Sequence, residues 1–385
     1  MPLIVVARIA LSFLSLAALV AGGYLLWSWY DGEQLFDAAG RVYQVREAWR
    51  LWSATGLLTW SFLGRLVVAP LLARGDTAPS RTERGGTSTI IKSPTGSRLY
   101  VEVHGQADDP TVILTHGWGL DSTIWFYLRR ALSSRYRVIV WDLAGLGRSK
   151  AAAGAIDLSH FARDLEAVMD FAAAPAILIG HSIGGMTIQT LVRDHPAAQK
   201  RMAGLVLVNT TYTNPLRTMI MRPVALALRW PVLEPVLWLA IPLHLLAWLS
   251  AWQSYFSGAA HLANRLGFAK RVTRSQLEHT TLLTTRNPPA ALARGNLAMF
   301  RWDAEGALQT MNIPTLVIAG DRDIVTVKSA SEVLARAAPG ARLLTVEDAN
   351  HMGFLERSDA YGAHIEAFCD AVVEDSKSLA SLREA

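Results

Sequence analysis

A single cysteine, Cys369, excludes an intramolecular disulfide and any cysteine-built metal site, and it leaves the redox compartment open. The three histidines of the middle region, His244, His261 and His279, lack metal-ligand spacing, so neither a metal nor any other cofactor is expected. No run of Lys or Arg accompanies the formal net charge of +5. The arginines are scattered, which argues against a nucleic-acid partner and for attraction to anionic lipid. No internal repeat is present, and no charged residue interrupts the stretch from Ile9 to Trp27.

What the chain has in quantity is apolar material. Hydrophobic residues make up 51% of 385 positions, and the mean hydropathy is +0.23. The excess is concentrated in the first 73 residues and in a block from Met219 to Trp252. Ile9 to Trp27 is close to the ~20 residues a helix needs to cross a bilayer, and Asp31 and Glu33 follow it. A cleavable signal peptide is the rival reading; a lone early basic residue, Arg8, and the lack of a small-x-small cleavage site argue against it.

Leu51 to Ala73 is apolar except for Arg65, whose long side chain is expected to reach the interface, and Trp49, Trp52 and Trp60 suit a lipid–water boundary. This segment either spans or lies on the surface. With two spans the rest of the chain shares the side of the N-terminus, and with one it lies opposite. Charge counting leans toward a cytoplasmic placement, at a bacterial inner membrane, by a single or double pass.

The polar stretch Ala78 to Thr87, with Pro79 and Gly85-Gly86, marks a linker. Beyond it, eight apolar runs read as strands: Ser88–Ile91, Arg98–His104, Val112–Thr115, Val138–Trp141, Ala176–Ile179, Gly204–Val208, Thr315–Ala319 and Arg342–Val346. Leu158, Phe161, Leu165, Val168 and Met169 recur at helical spacing behind Asp157, a candidate N-cap. Apolar strands alternating with amphipathic helices imply an α/β fold with a mostly parallel sheet covered on both faces. The expected organisation is an anchor over 1–77, a linker over 78–87, a core over 88–209 and 312–385, and a helical insertion over 210–311. Pro231, Pro235 and Pro242 are expected to break the apolar block Trp230–Trp252 into short pieces that roof an acyl-sized pocket.

One strand ends in Gly180-His-Ser182-Ile-Gly184. That spacing reverses the chain sharply into a helix, with the serine at the apex and glycines where a Cβ meets its neighbours. A serine hydroxyl needs a base, a group to orient that base, and donors for the oxyanion. Asp323 follows one late strand in Gly320-Asp-Arg-Asp323, and His351 follows the next in Asn350-His351. The backbone N–H groups of Ile183 and of Trp118, in His116-Gly-Trp-Gly119, are candidate oxyanion donors. Each motif sits just past the carboxyl end of a strand, where the loops of a parallel sheet converge.

These motifs, together with Trp141-Asp-Leu-Ala-Gly145-Leu-Gly147-Arg-Ser149, resemble the α/β-hydrolase family from about Ser88 to the C-terminus. The resemblance implies an eight-stranded sheet with a cap inserted after the sixth strand. It also implies Ser182 as nucleophile, His351 as base, Asp323 as its partner, and Trp118 and Ile183 as oxyanion amides. The match to the motif favours Asp323 over Asp321 and Asp348. The serine separates the chain from family branches that place aspartate there.

Trp118, Trp125 and Met352 are candidate substrate-binding residues; His116, His181 and Asp142 read as loop-shaping ones. The expected activity is cleavage of a carboxylic, lipidic ester at a membrane. An acyltransferase or a cofactor-free perhydrolase using the same triad, and a non-catalytic membrane scaffold, are the alternatives. Acyl length, leaving group and oligomeric state stay open.

Overall fold

The computed structural model describes residues 2–76, 82–154 and 156–384, with side chains described between 7 and 378. The part of the expected linker from 78 to 81 lies outside the described residues.

The N-terminal region is a helical hairpin. Helix α1 (Pro2–Asp31) leads through two short antiparallel strands, β1 (Glu33–Phe36) and β2 (Val42–Val45), into α2 (Ala48–Leu63) and α3 (Arg65–Leu72). Helices α2 and α3 meet at a 56° bend at Gly64. A Cβ at Gly64 would lie 2.5 Å from the Ser257 carbonyl oxygen, so glycine is what lets the bend seat against the middle of the chain. Arg65 is half-buried against the middle of the chain. Its guanidinium donates to Tyr255 Oη (3.0 Å) and Glu278 Oε1 (2.8 Å), partners that make the inward position favourable.

The core then alternates β3 (Thr87–Lys92), β4 (Arg98–His104), β5 (Thr111–Thr115), α4 (Phe126–Leu132), β6 (Arg137–Trp141), α5 (Leu158–Ala172), β7 (Ala176–His181), α6 (Ile183–Asp194) and β8 (Met202–Val208). After an insertion it resumes with β9 (Thr315–Gly320), α13 (Lys328–Ala337), β10 (Arg342–Val346), α14 (Gly353–Glu356) and α15 (Ser358–Glu384). The sheet has eight strands in the order β10-β9-β8-β7-β5-β6-β4-β3; β4 runs antiparallel to both neighbours and the other pairings are parallel. All eight strands fall where the apolar runs place them.

Strands β5, β7 and β9 are buried along their whole length, as covered parallel strands must be. Their residues alternate between two cores. Ile113 and Leu178 point to α5, α6 and α13, whereas Val112, Leu114 and Ile177 point to α4 and α15. Asp157 caps α5 by accepting the His160 N–H at 2.8 Å. Cys369 is fully buried in α15, and burial pushes its thiol up to about 12.

The insertion between β8 and β9 carries α7 (Arg222–Leu228), α8 (Glu234–Ala240), α9 (His244–Phe256), α10 (Ala259–Arg265), α11 (Arg274–Arg286) and α12 (Pro289–Met299). The block Trp230–Trp252 is broken at Pro242, as expected, but not at Pro231 or Pro235: Arg222–Ala240 is one helical stretch of 19 residues. A π turn over Arg229–Leu233 joins α7 to α8, and Pro235 sits in the first turn of α8, where a missing N–H costs little. Only Pro242 coincides with a break. Helix α1 lies along this insertion: Ser15 and Ser257 hydroxyls are hydrogen-bonded, and Gln253 donates to the Ser15 carbonyl at 3.1 Å.

Candidate active site

Ser182 is held at φ +53°, ψ −117°, a region disfavoured for any residue with a Cβ. The surroundings enforce it. The Ser182 N–H donates to the Val208 carbonyl (3.0 Å), and the Thr210 hydroxyl donates to the Ser182 carbonyl (2.6 Å). A Cβ at Gly180 would stand 2.5 Å from Gly184 backbone, and one at Gly184 would stand 2.2 Å from the Thr115 carbonyl oxygen. Strand and helix therefore meet closely enough to push the serine out at the carboxyl edge of the sheet.

The His351 Nε2 accepts from Ser182 Oγ at 3.1 Å, and His351 Nδ1 donates to Asp323 Oδ2 at 3.0 Å. The structure thus brings together residues from three separate loops, after β7, β9 and β10. All three are buried: Ser182 5%, Asp323 4% and His351 1% exposed. Asp323 is surrounded by donors. Its Oδ1 accepts from the Val325 and Thr326 amides (2.7 and 2.9 Å), and its Oδ2 also accepts from Asn209 Nδ2 (2.9 Å) and Thr326 Oγ1 (2.8 Å). Burial alone would raise this carboxyl, but the His351 charge and these hydrogen bonds outweigh it and hold it at about 2. The carboxylate is thus ionised at neutral pH.

His351 is oriented from behind as well. Asn350 Oδ1 accepts the His351 N–H (2.8 Å), and His181 Nε2 donates to the His351 carbonyl (3.0 Å) with the two rings 4.8 Å apart. Burial, and next the charge of His351, hold His181 well below the ordinary histidine range. It stays neutral and brings no competing cation to the site.

Ile183 is the first residue of α6, whose first N–H groups have no intrahelical acceptor. Trp118 lies in the loop after β5, and among the described residues its N–H makes no backbone hydrogen bond. The loop abuts the triad, since a Cβ at Gly117 would fall 2.5 Å from His181 Nδ1. His116 is tied within it: Nδ1 donates to the Gly117 carbonyl (2.8 Å) and Nε2 accepts the Leu143 N–H (3.0 Å). Asp142 gathers the neighbouring loop, accepting from the Ser122 and Arg148 amides and from Arg84.

The other candidates are placed as follows. The Trp118 indole packs on Phe161 and donates to the Leu292 carbonyl on α12 at 3.2 Å. Trp125 is 1% exposed and stands behind His181, against Phe354. Met352 is buried beside His351, its N–H donating to the Gly267 carbonyl. Asp321 is exposed and accepts the Ala349 N–H, and Asp348 pairs with Arg322 and Arg271; neither touches His351. In the cap, His261 pairs with Glu278, and His279 with Thr123. Sequence reasoning missed Asn209, Thr210 and Thr326, which hold the acid and the elbow. Asn209 and Thr210 directly follow β8, so their position at a strand's carboxyl end was the available signal.

A family model described as "alpha/beta hydrolase fold" matches residues 110–358. A polyketide synthase, ThaQ, of Burkholderia thailandensis is 30% identical over 78% of the chain, which spans only 14% of that relative's length. The pimeloyl-[acyl-carrier protein] methyl ester esterase of Vibrio atlanticus is 29% identical, over 70% of this chain and 97% of its own. Among solved structures, the esterase EaEST of Exiguobacterium antarcticum superposes with a TM-score of 0.61 at 20% identity, covering 73% of this chain and 99% of its own.

Proposed function

The chain belongs to the α/β-hydrolase family, and we propose that it is a membrane-bound serine hydrolase that cleaves carboxylic esters of lipidic character through an acyl-enzyme on Ser182. One observation carries the reading: Ser182 Oγ, His351 and Asp323 are joined by hydrogen bonds of 3.1 and 3.0 Å at the elbow. The Vibrio relative is named for a methyl ester of an acyl chain, which agrees with this chemistry.

In the first half-reaction Ser182 Oγ attacks the ester carbonyl while His351 Nε2 takes its proton. Asp323, fully charged, stabilises the resulting imidazolium and fixes its tautomer. The Trp118 and Ile183 amides take the oxyanion. Collapse breaks the bond to the alcohol, which leaves with the proton from His351. Water then repeats the sequence on the acyl-enzyme, and the carboxylic acid is released.

The lipidic character and the membrane rest on surface chemistry. The cap exposes Trp230, Trp238, Leu245, Leu246 and Leu249, and α1 to α3 expose Phe13, Leu14, Trp52 and Leu71. Such an apolar area is costly in water and suits lipid. Helix α1 and the bent pair α2–α3 are each apolar and long enough to cross. From Ser15, where α1 meets the cap, to Asp31 it rises ~24 Å, and the connection beyond carries Glu33, Asp37, Arg41, Arg46 and Glu47. A polar tip on an apolar hairpin favours a double pass, with the catalytic domain on the side of the N-terminus.

The test is hydrolysis of p-nitrophenyl esters from acetate to palmitate by the detergent-solubilised full chain and by Ser182→Ala. Preference for longer acyl chains, abolished in the variant, supports the reading. Equal turnover by both proteins overturns the nucleophile, and activity confined to acetate overturns the lipidic substrate.

A further inference from the structure

Helix α11 ends at an unusual junction. Asn287 is followed by Pro288 and Pro289, and the first proline biases Asn287 to an extended backbone, observed at φ −68°, ψ 142°. The helix stops there. Its side chain, 5% exposed, is then fully engaged. Asn287 Nδ2 donates to the Gly119 carbonyl (2.9 Å) and shares its donors between the Leu120 carbonyl (3.2 Å) and the Leu283 carbonyl of its own helix (3.1 Å), and its Oδ1 accepts the Gly147 N–H (2.9 Å). One cap residue thereby ties the loop after β6 to the loop after β5, which lies beside the elbow strand and carries the Trp118 amide.

The same two prolines have a second effect. In a continuing helix the carbonyls of Thr284 and Thr285 would accept the N–H groups four residues on, and those positions, 288 and 289, have none to give. Arg8 of α1 takes up one of the two, donating to the Thr284 carbonyl at 3.1 Å, and it also donates to the Thr285 hydroxyl oxygen at 3.3 Å. A cation at a helix C-terminus also complements the helix dipole. The contact bridges 276 residues of sequence.

We propose that Asn287 is a positioning residue for the oxyanion loop, and that Arg8 holds the helix end from which Asn287 acts. The N-terminal helix is then part of the catalytic apparatus as well as an anchor. This rests on the hydrolase reading for its kinetic consequence, while the geometry of the loop can be read without it.

The experiment uses the full chain in detergent, comparing wild type with Asn287→Ala, Asn287→Asp, Arg8→Met, Arg8→Lys and Ser182→Ala. Removing an oxyanion donor outright costs ~10²–10³ in kcat, and misplacing one costs less. Asn287→Ala is expected to lower kcat by about 10- to 100-fold with KM within about 3-fold. Asn287→Asp keeps size and the Gly147 bond but loses both donors, so it falls as far. Arg8→Met lowers kcat by about 3- to 10-fold, and Arg8→Lys, which keeps a charged donor, recovers part of the loss. Hydrogen exchange of the 117–120 amides rises in Asn287→Ala and Arg8→Met. Unchanged kcat and unchanged exchange in Asn287→Ala, with Ser182→Ala inactive, overturns the proposal and leaves the hydrolase reading standing. If instead Ser182→Ala retains turnover, the hydrolase reading fails and exchange decides: faster exchange sustains the clamp and equal protection overturns it.

Discussion

Replacing Asp323 with asparagine changes one atom and no volume, yet the five donors around the carboxylate make its outcome specific. If the new NH2 takes the Oδ1 side, it faces the Val325 and Thr326 amides at 2.7 and 2.9 Å, two donors fixed in the backbone. Each such clash costs ~1–3 kcal/mol. If it takes the Oδ2 side, it faces Thr326 Oγ1, which can rotate to accept, Asn209 Nδ2, and His351 Nδ1. The second orientation is cheaper, and it obliges His351 to accept at Nδ1 and carry its proton on Nε2, toward Ser182. A base protonated on the working nitrogen cannot take the serine proton. The expected loss in kcat is on the order of 10⁴, or about 5.5 kcal/mol of transition-state stabilisation. The assay is steady-state ester hydrolysis by the full chain in detergent, with the thermal midpoint as a check on folding. A folded Asp323→Asn enzyme within 10-fold of wild type would refute this assignment of roles.

Other perturbations follow from the same geometry. Gly184→Ala drives a Cβ to 2.2 Å from the Thr115 carbonyl, with the His116 carbonyl at 3.1 Å, so neither obstacle can swing aside; a loss of about 3 kcal/mol or more is expected in thermal unfolding. Gly56→Ala, with nothing within 4 Å, should be neutral or slightly stabilising. On acidification, the buried histidines His116 and His181, both held below the ordinary value chiefly by burial, resist the protons that the unfolded chain takes up below ~6.5. Stability is therefore full above that pH and declines below it, by up to ~1.4 kcal/mol per pH unit for each; a melting temperature that is flat from pH 8 to 5 would contradict this. The burial of Cys369 permits a topology test, because cysteines placed at Ala39 and Lys377 should react with an impermeant maleimide from opposite faces of sealed vesicles. Labelling from one face only would rule out the double pass.

Much of this was legible in the sequence wherever the signal is local. The strands of the sheet are short apolar runs, and each catalytic candidate sits within a few residues of the end of one. Gly180 and Gly184 report a close approach that their spacing alone implies. What stayed hidden depends on distant partners. The bend at Gly64 is set by Ser257, Arg65 turns inward because Glu278 and Tyr255 receive it, and Asn287 acts on carbonyls at 119 and 120. Asn209 looks like any polar residue after a strand until Asp323 arrives beside it. Within the proline-rich block Pro242 breaks the helix as its sequence implies, whereas Pro231 does not, because it falls in a π turn.

The central claim is that Ser182 carries the acyl group between the two half-reactions. It is tested most directly by quenching the reaction of the full chain with a p-nitrophenyl ester in acid within the first turnover and mapping the adduct by mass spectrometry. The account predicts the mass of the acyl group on the peptide bearing Ser182, formed as fast as the first equivalent of p-nitrophenol and absent from Ser182→Ala. Release of p-nitrophenol with the acyl group on another residue, or with equal speed from Ser182→Ala, would contradict it.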